Sequence, residues 1–161
     1  MYPATLILGL GNPLRGDDGV GARVVEELTH RDLPQAVTAL DGGTGGLDLL
    51  RLLEQWERVV IVDAADVGRE PGQYVRFTPD QVRLASASST LSLHNAGLSE
   101  VLTLAEALEL DLPELVIFGV QPAEIGWKEG LSPAVAAAVT TLADAILDEI
   151  QGEDHAQDSS D

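Results

Sequence analysis

The chain contains no cysteine, which excludes disulfides, thiolate metal ligands and a cysteine nucleophile together. Aromatic residues make up only 4%, so a core has to be built from Leu, Val, Ile and Ala. Cations are scarce. Nine Lys plus Arg face 27 Asp plus Glu, for a formal net charge of −18, and Lys128 is the sole lysine. Such a surface repels phosphate backbones, so no nucleic-acid partner is expected. No run approaches the roughly 20 apolar residues of a membrane span. The opening MYPATLILGLGNP has neither the basic start nor the apolar length of a secretory signal. The expectation is a cytoplasmic protein without membrane contact.

What is present suits one domain: 161 residues, 45% of them hydrophobic. The reading is a single domain over 1–151 followed by a polar, acidic, disordered tail over 152–161. Thr5 to Leu10 is a fully apolar strand, ended by Gly11, Asn12 and Pro13. Val20, Val24, Val25 and Leu28 then form a helical stripe that closes near His30. Ala36 to Leu40 reads as a second strand, and Leu47, Leu50 and Leu53 mark a second helix. Arg58 to Ala64 is the strongest strand signal in the chain, with four consecutive β-branched residues, Val59 to Val62. Gln73 to Phe77 reads as an additional edge strand, and residues 79–91 as loop. Leu98, Val101, Leu102, Ala105 and Leu108 line a third helix over about Asn95 to Leu110. Leu115 to Val120 is the last strand. Ser132 and Pro133 then open a helix with apolar positions Val135, Val139, Leu142 and Ile146.

Strands alternating with helices predict a mainly parallel sheet covered on both faces. Ligands of such sheets bind beyond the carboxyl ends of the strands. Three loops end there: GLGNPLRGDDGVG, DGGTGG and DAAD. The first is not a phosphate loop. Leu14 stands where a dinucleotide fingerprint needs its third glycine, and Asp17 and Asp18 replace the Lys and Ser/Thr of a P-loop. Two carboxylates repel a phosphate; they suit a cation or a positively charged partner.

Each acid has a plainer alternative. Asp17 or Asp18 could cap the helix that follows, although one cap uses one side chain. Asp63 closes an apolar strand, where a charge needs either a cation or backbone amides; Asp66 suits a turn. His94, in SLHNAG, is either a satisfied structural residue or the imidazole that joins Asp18 and Asp63 in a metal-binding set. Such N/O ligands suit nickel, zinc, iron or manganese without selecting among them. Asp41, Gly42, Gly43, Thr44 and Gly45 form either a helix-entry turn or a wall that another backbone can approach closely. Ser132 is a cap, since no G-x-S-x-G surrounds it.

Taken in order, GLGNPLRGDDGVG (9–21), DGGTGG (41–46), VIVDA (60–64), SLHNAGL (92–98), FGVQP (118–122) and GLSP (130–133) resemble the hydrogenase maturation endopeptidases. Those enzymes trim the C-terminal extension from the large-subunit precursor of [NiFe] hydrogenases. The resemblance implies a three-layer α/β/α sandwich on a five-stranded, mostly parallel sheet with one antiparallel strand, for which Gln73 to Phe77 is the candidate. It carries the metal-contacting residues onto Asp18, Asp63 and His94, leaves Asp17 an auxiliary acid, and assigns partner recognition to the Asp41–Gly45 loop. It also implies that the nickel arrives on the substrate and is not permanently bound. Two rivals come from other classes. A receiver-type phospho-acceptor domain shares the acid pair and the strand-ending aspartate, but needs a lysine where Gly119-Val120-Gln121-Pro122 stands. A non-catalytic chaperone for nickel or the precursor would show the same residues.

Overall fold

The computed structural model describes residues 4–44, 46, 48–81, 92–93 and 96–158. The apolar runs become the centre of the sheet. Strands β1 (Thr5–Gly9), β2 (Val37–Asp41), β3 (Arg58–Asp66), β4 (Tyr74–Phe77) and β6 (Glu114–Val120) lie in the order β2-β1-β3-β6-β4. β1 pairs in parallel with β2 and β3, and β3 in parallel with β6. β4 is the antiparallel edge strand, running Tyr74 against Val120 and Phe77 against Ile117. A two-residue strand, β5 (Ser92–Leu93), adds an antiparallel pair with Ala65 and Asp66. That pairing carries β3 two residues beyond Ala64, where composition alone ended it.

Alternation along the strands sorts the apolar side chains to two faces. Ile7, Val60, Val62, Val116 and Phe118 pack under α1 (Val20–Thr29) and α4 (Pro133–Asp158). Leu6, Leu8, Val59, Ile61 and Ile117 pack under α2 (Asp48–Glu54) and α3 (Ala96–Ala107). The result is the expected α/β/α sandwich. The helical stripes hold where they are strongest: Val20, Val24, Val25 and Leu28 are buried on α1, and Val135, Val139, Leu142 and Ile146 on α4.

Two helix ends differ from the sequence reading. α4 continues to Asp158, past Gly152, where the tail was expected to begin. Glu153, Ala156 and Gln157 after that glycine are good helix formers, and one interior glycine costs only about 1 kcal/mol. α3 stops at Ala107, so Leu108 is exposed and does not join the apolar face. Glu109 takes a left-handed φ of 55°, its N–H bonding Glu106 O while Leu110 N–H reaches back to Ala105 O. This closure is usually made by glycine, because a side chain there costs roughly 1 kcal/mol. Glu109→Gly is therefore expected to raise stability by about 0.5–1 kcal/mol, read as a higher denaturant midpoint at unchanged slope.

One buried cation ties the two ends of the fold. Arg58, at the start of β3, donates to the carbonyls of Glu149 (3.0 Å) and Ile150 (3.4 Å) on α4. Glu149 also pairs with Arg76 at 2.6 Å, so α4 is anchored to both β3 and β4. No helix among the described residues is long and apolar enough to cross a membrane.

Candidate active site

Two of the three loops expected to matter converge beyond the carboxyl ends of β1 and β2, whereas DAAD is no loop: its four residues continue β3, paired with β6 and then β5. After β1 the chain makes a left-handed turn at Gly11 (φ 117°), where a β-carbon would run into the carbonyl oxygen of Asp18. A 3-10 turn, Gly16–Gly19, follows and leads directly into α1. At Gly21 a β-carbon would lie 2.5 Å from Leu10 O and 2.7 Å from Val62 O. Glycine there lets the helix backbone press onto β1 and β3. Both acids are thus held close to β3, in which Asp63 does not close the strand as expected but lies inside it, paired with Gly119.

Neither acid caps α1, whose N-cap residue, Gly19, makes no side-chain capping bond. The capping alternative for the pair is therefore replaced by two separate tasks. Asp17 faces the loop between β6 and α4 and is saturated. Its Oδ2 accepts from Ala123 N–H (2.8 Å), Glu124 N–H (3.1 Å) and Ser132 Oγ–H (2.8 Å). Its Oδ1 accepts from Ser132 N–H at 2.7 Å. Burial alone would push this carboxyl up, but the four donors outweigh it and hold it below the usual 3.8. Ser132 is the residue before α4, and its carbonyl accepts the first helical bond from Ala136 N–H. Its hydroxyl is spent on Asp17. Asp17 is thus a clamp between the β1 loop and the loop leading into α4.

Asp18 is different. One oxygen, Oδ2, accepts from Asn12 N–H at 2.8 Å. The other, Oδ1, is buried and has no hydrogen-bond partner, although the residue as a whole keeps 8% exposure. Asp63 is fully buried on the face that also carries Val59 and Ile61, the face of α2 and α3. Among the described residues no three His, Asp or Glu side chains are grouped to hold a metal ion. His94, the third member of the expected set, lies outside those residues, as does Gly45.

The glycine loop borders the same crevice. Gly11 N–H donates to Gly43 O at 2.8 Å, and Gly42 N–H to Gly9 O at 2.7 Å, stitching it to the β1 turn. Asp41 closes β2, is exposed, and accepts from Gly43 N–H at 3.0 Å. Thr44 is exposed as well. Asp66, the last residue of β3, accepts from Gly68 N–H at 3.3 Å, as a turn aspartate does. The lysine a receiver domain requires is missing at the end of β6. Lys128 sits instead in the exposed loop beyond it, bridged to Arg15.

Residues 22–149 match the family model described as hydrogenase maturation protease. The chain belongs to that family. Hydrogenase expression/formation protein HupD of Bradyrhizobium diazoefficiens is 41% identical over 132 residues, covering 81% of this chain and 69% of its own. Among solved structures, the hydrogenase maturating endopeptidase HybD from E. coli superposes with a TM-score of 0.79 at 30% identity, over 92% of this chain and 93% of that one. The [NiFe] hydrogenase maturation protease HybD from Thermococcus kodakarensis gives 0.71 at 26% identity, over 91% and 98%. Like the family model and these two structures, the protein is a protease, which removes the receiver and the non-catalytic chaperone as readings. Sequence reasoning singled out Asp18 and Asp63, both of which are buried, but not the donors on Asp17. Ser132 was legible as a helix start, whereas its bond to an acid 115 positions earlier carries no local signal.

Proposed function

We propose that this maturation protease cuts the C-terminal extension from a [NiFe] hydrogenase large-subunit precursor, engaging the nickel that the precursor carries through Asp18, Asp63 and His94. The observation behind this is the Asp18 carboxylate. A buried anionic oxygen without a donor costs free energy unless a cation completes it. Here Oδ1 of Asp18 is in that position, on the loop after β1, whose parallel neighbour β3 carries Asp63. The acidic, cysteine-free chain supplies hard oxygen ligands and leaves the soft thiolates to the partner.

In this reading the metal is part of the substrate. The carboxylates and the imidazole take up positions on it, which fixes the scissile amide at one distance from the site and converts recognition into alignment. Nickel contributes polarisation of the amide carbonyl. Water adds to that carbonyl carbon, the C–N bond breaks, and the departing amine takes the proton that the water gives up. Asp17 keeps its four donors throughout and acts only by holding the loop that carries Asp18. The Asp41–Thr44 loop forms the neighbouring wall for the partner backbone, since its glycines leave room there.

Metal analysis tests the substrate-metal part. The purified protein is expected to carry nickel or zinc well below one equivalent and to bind added nickel weakly. Stoichiometric zinc that survives dialysis against chelator would overturn it in favour of an autonomous metallohydrolase.

A further inference from the structure

The loop anchored by Asp17 does more than carry Asp18; it holds out a patch of unusual composition. Trp127 is 81% exposed and Leu14 57%; with Leu108 they are the three most exposed large apolar side chains among the described residues. They sit on two loops joined by backbone bonds: Gly16 N–H to Lys128 O at 2.6 Å and Asp17 N–H to Glu124 O at 3.0 Å. The Arg15 guanidinium lies over the Trp127 ring, 5.4 Å from its centroid. Arg15 and Lys128 have no acidic partner among the described residues, nor do the separate Arg51 and Arg69, whereas Arg23, Arg31, Arg58 and Arg76 are paired with carboxylates. Glu124 and Glu129 flank the loop without joining those two cations.

In a chain of net charge −18, two neighbouring unpaired cations beside an exposed indole have a specific use. Exposed tryptophan and arginine are the residues that most often dominate binding energy at interfaces. An arginine stacked on an aromatic ring keeps its fork of donors free for a carboxylate and has already lost part of its rotamer freedom. We infer that Leu14, Arg15, Trp127 and Lys128 form the surface on which the precursor docks, and that they receive an apolar side chain flanked by a carboxylate. The patch is continuous with the crevice, because the turn from Asn12 to Asp18 belongs to both. This deepens the proposed processing reaction by assigning it an anchor beyond the reacting atoms.

The test uses the full chain and the nickel-loaded precursor, with two separate readouts: affinity by biolayer interferometry, and cleavage kinetics by intact mass. Trp127→Ala and Arg15→Glu are expected to weaken binding and raise KM by roughly ten-fold or more, with kcat within about two-fold. Their melting temperatures should match the wild type, since both side chains are exposed. Unchanged affinity in both variants would overturn the inference, as would a fall in kcat at unchanged affinity. If the wild type binds but does not cut, the processing reading fails while the affinity readout still judges the patch.

Discussion

Asp63→Asn abolishes processing of the precursor, lowering its rate by at least about a hundred-fold, while the melting temperature stays where it was or rises. Asparagine keeps the size and one oxygen of the side chain, so β3 and its pairing with Gly119 are undisturbed. What is lost is the negative charge, which is the part a cation needs. Removing a charge from a fully buried position does not destabilise the fold on solvation grounds. Asp18→Asn behaves the same way, because the amide oxygen still accepts from Asn12 N–H. His94→Ala is expected to be equally inactive. Circular dichroism and thermal melting run beside the cleavage assay decide the matter. Unfolding of the two Asn variants would mean that the acids are structural.

Asp17→Ala produces the opposite profile: a destabilised protein whose loss of activity follows from a displaced loop. Four donors converge on this carboxylate from Ala123, Glu124 and Ser132. Several of them are partly exposed and can turn to water, which limits the cost to about 2–4 kcal/mol. For a chain of this length that is roughly 5–15 °C in melting temperature. The pH dependence has a definite sign. The folded carboxyl is held below its ordinary 3.8, so its contribution is present above that value and is lost as pH falls through the lower, folded one. The stability gap between wild type and Asp17→Ala should narrow below about pH 4. A gap that stays constant or widens in acid would show that the carboxylate is not what the donors need.

These two aspartates also mark where the sequence stops being readable. β1, β3 and β6 were legible because they are apolar on both faces, and such runs admit few other structures. The α1 and α4 stripes were legible because one face of each is buried, from Val20 to Leu28 and from Val135 to Ile150. The β3–β5 pairing was not, since two residues show no period. Leu108 fits the spacing of α3, yet Glu109 ends the helix before it can be buried. The division of labour between Asp17 and Asp18 was hidden for a different reason. Adjacent residues in a 3-10 turn point apart, and the donors that saturate Asp17 come from more than 100 positions away. Arg58 is the same case, reading as a strand's polar start until the carbonyls of Glu149 and Ile150 are seen on it.

The central claim is that Asp18 and Asp63 wait for a metal that the substrate brings. It is tested most directly by incubating the protein with the large-subunit precursor in two forms, nickel-loaded and nickel-free, and measuring intact mass. The loaded precursor should lose its C-terminal extension while the nickel-free form keeps its full mass. Equal trimming of both forms, or retention of the extension with nickel verified in place, would contradict the account.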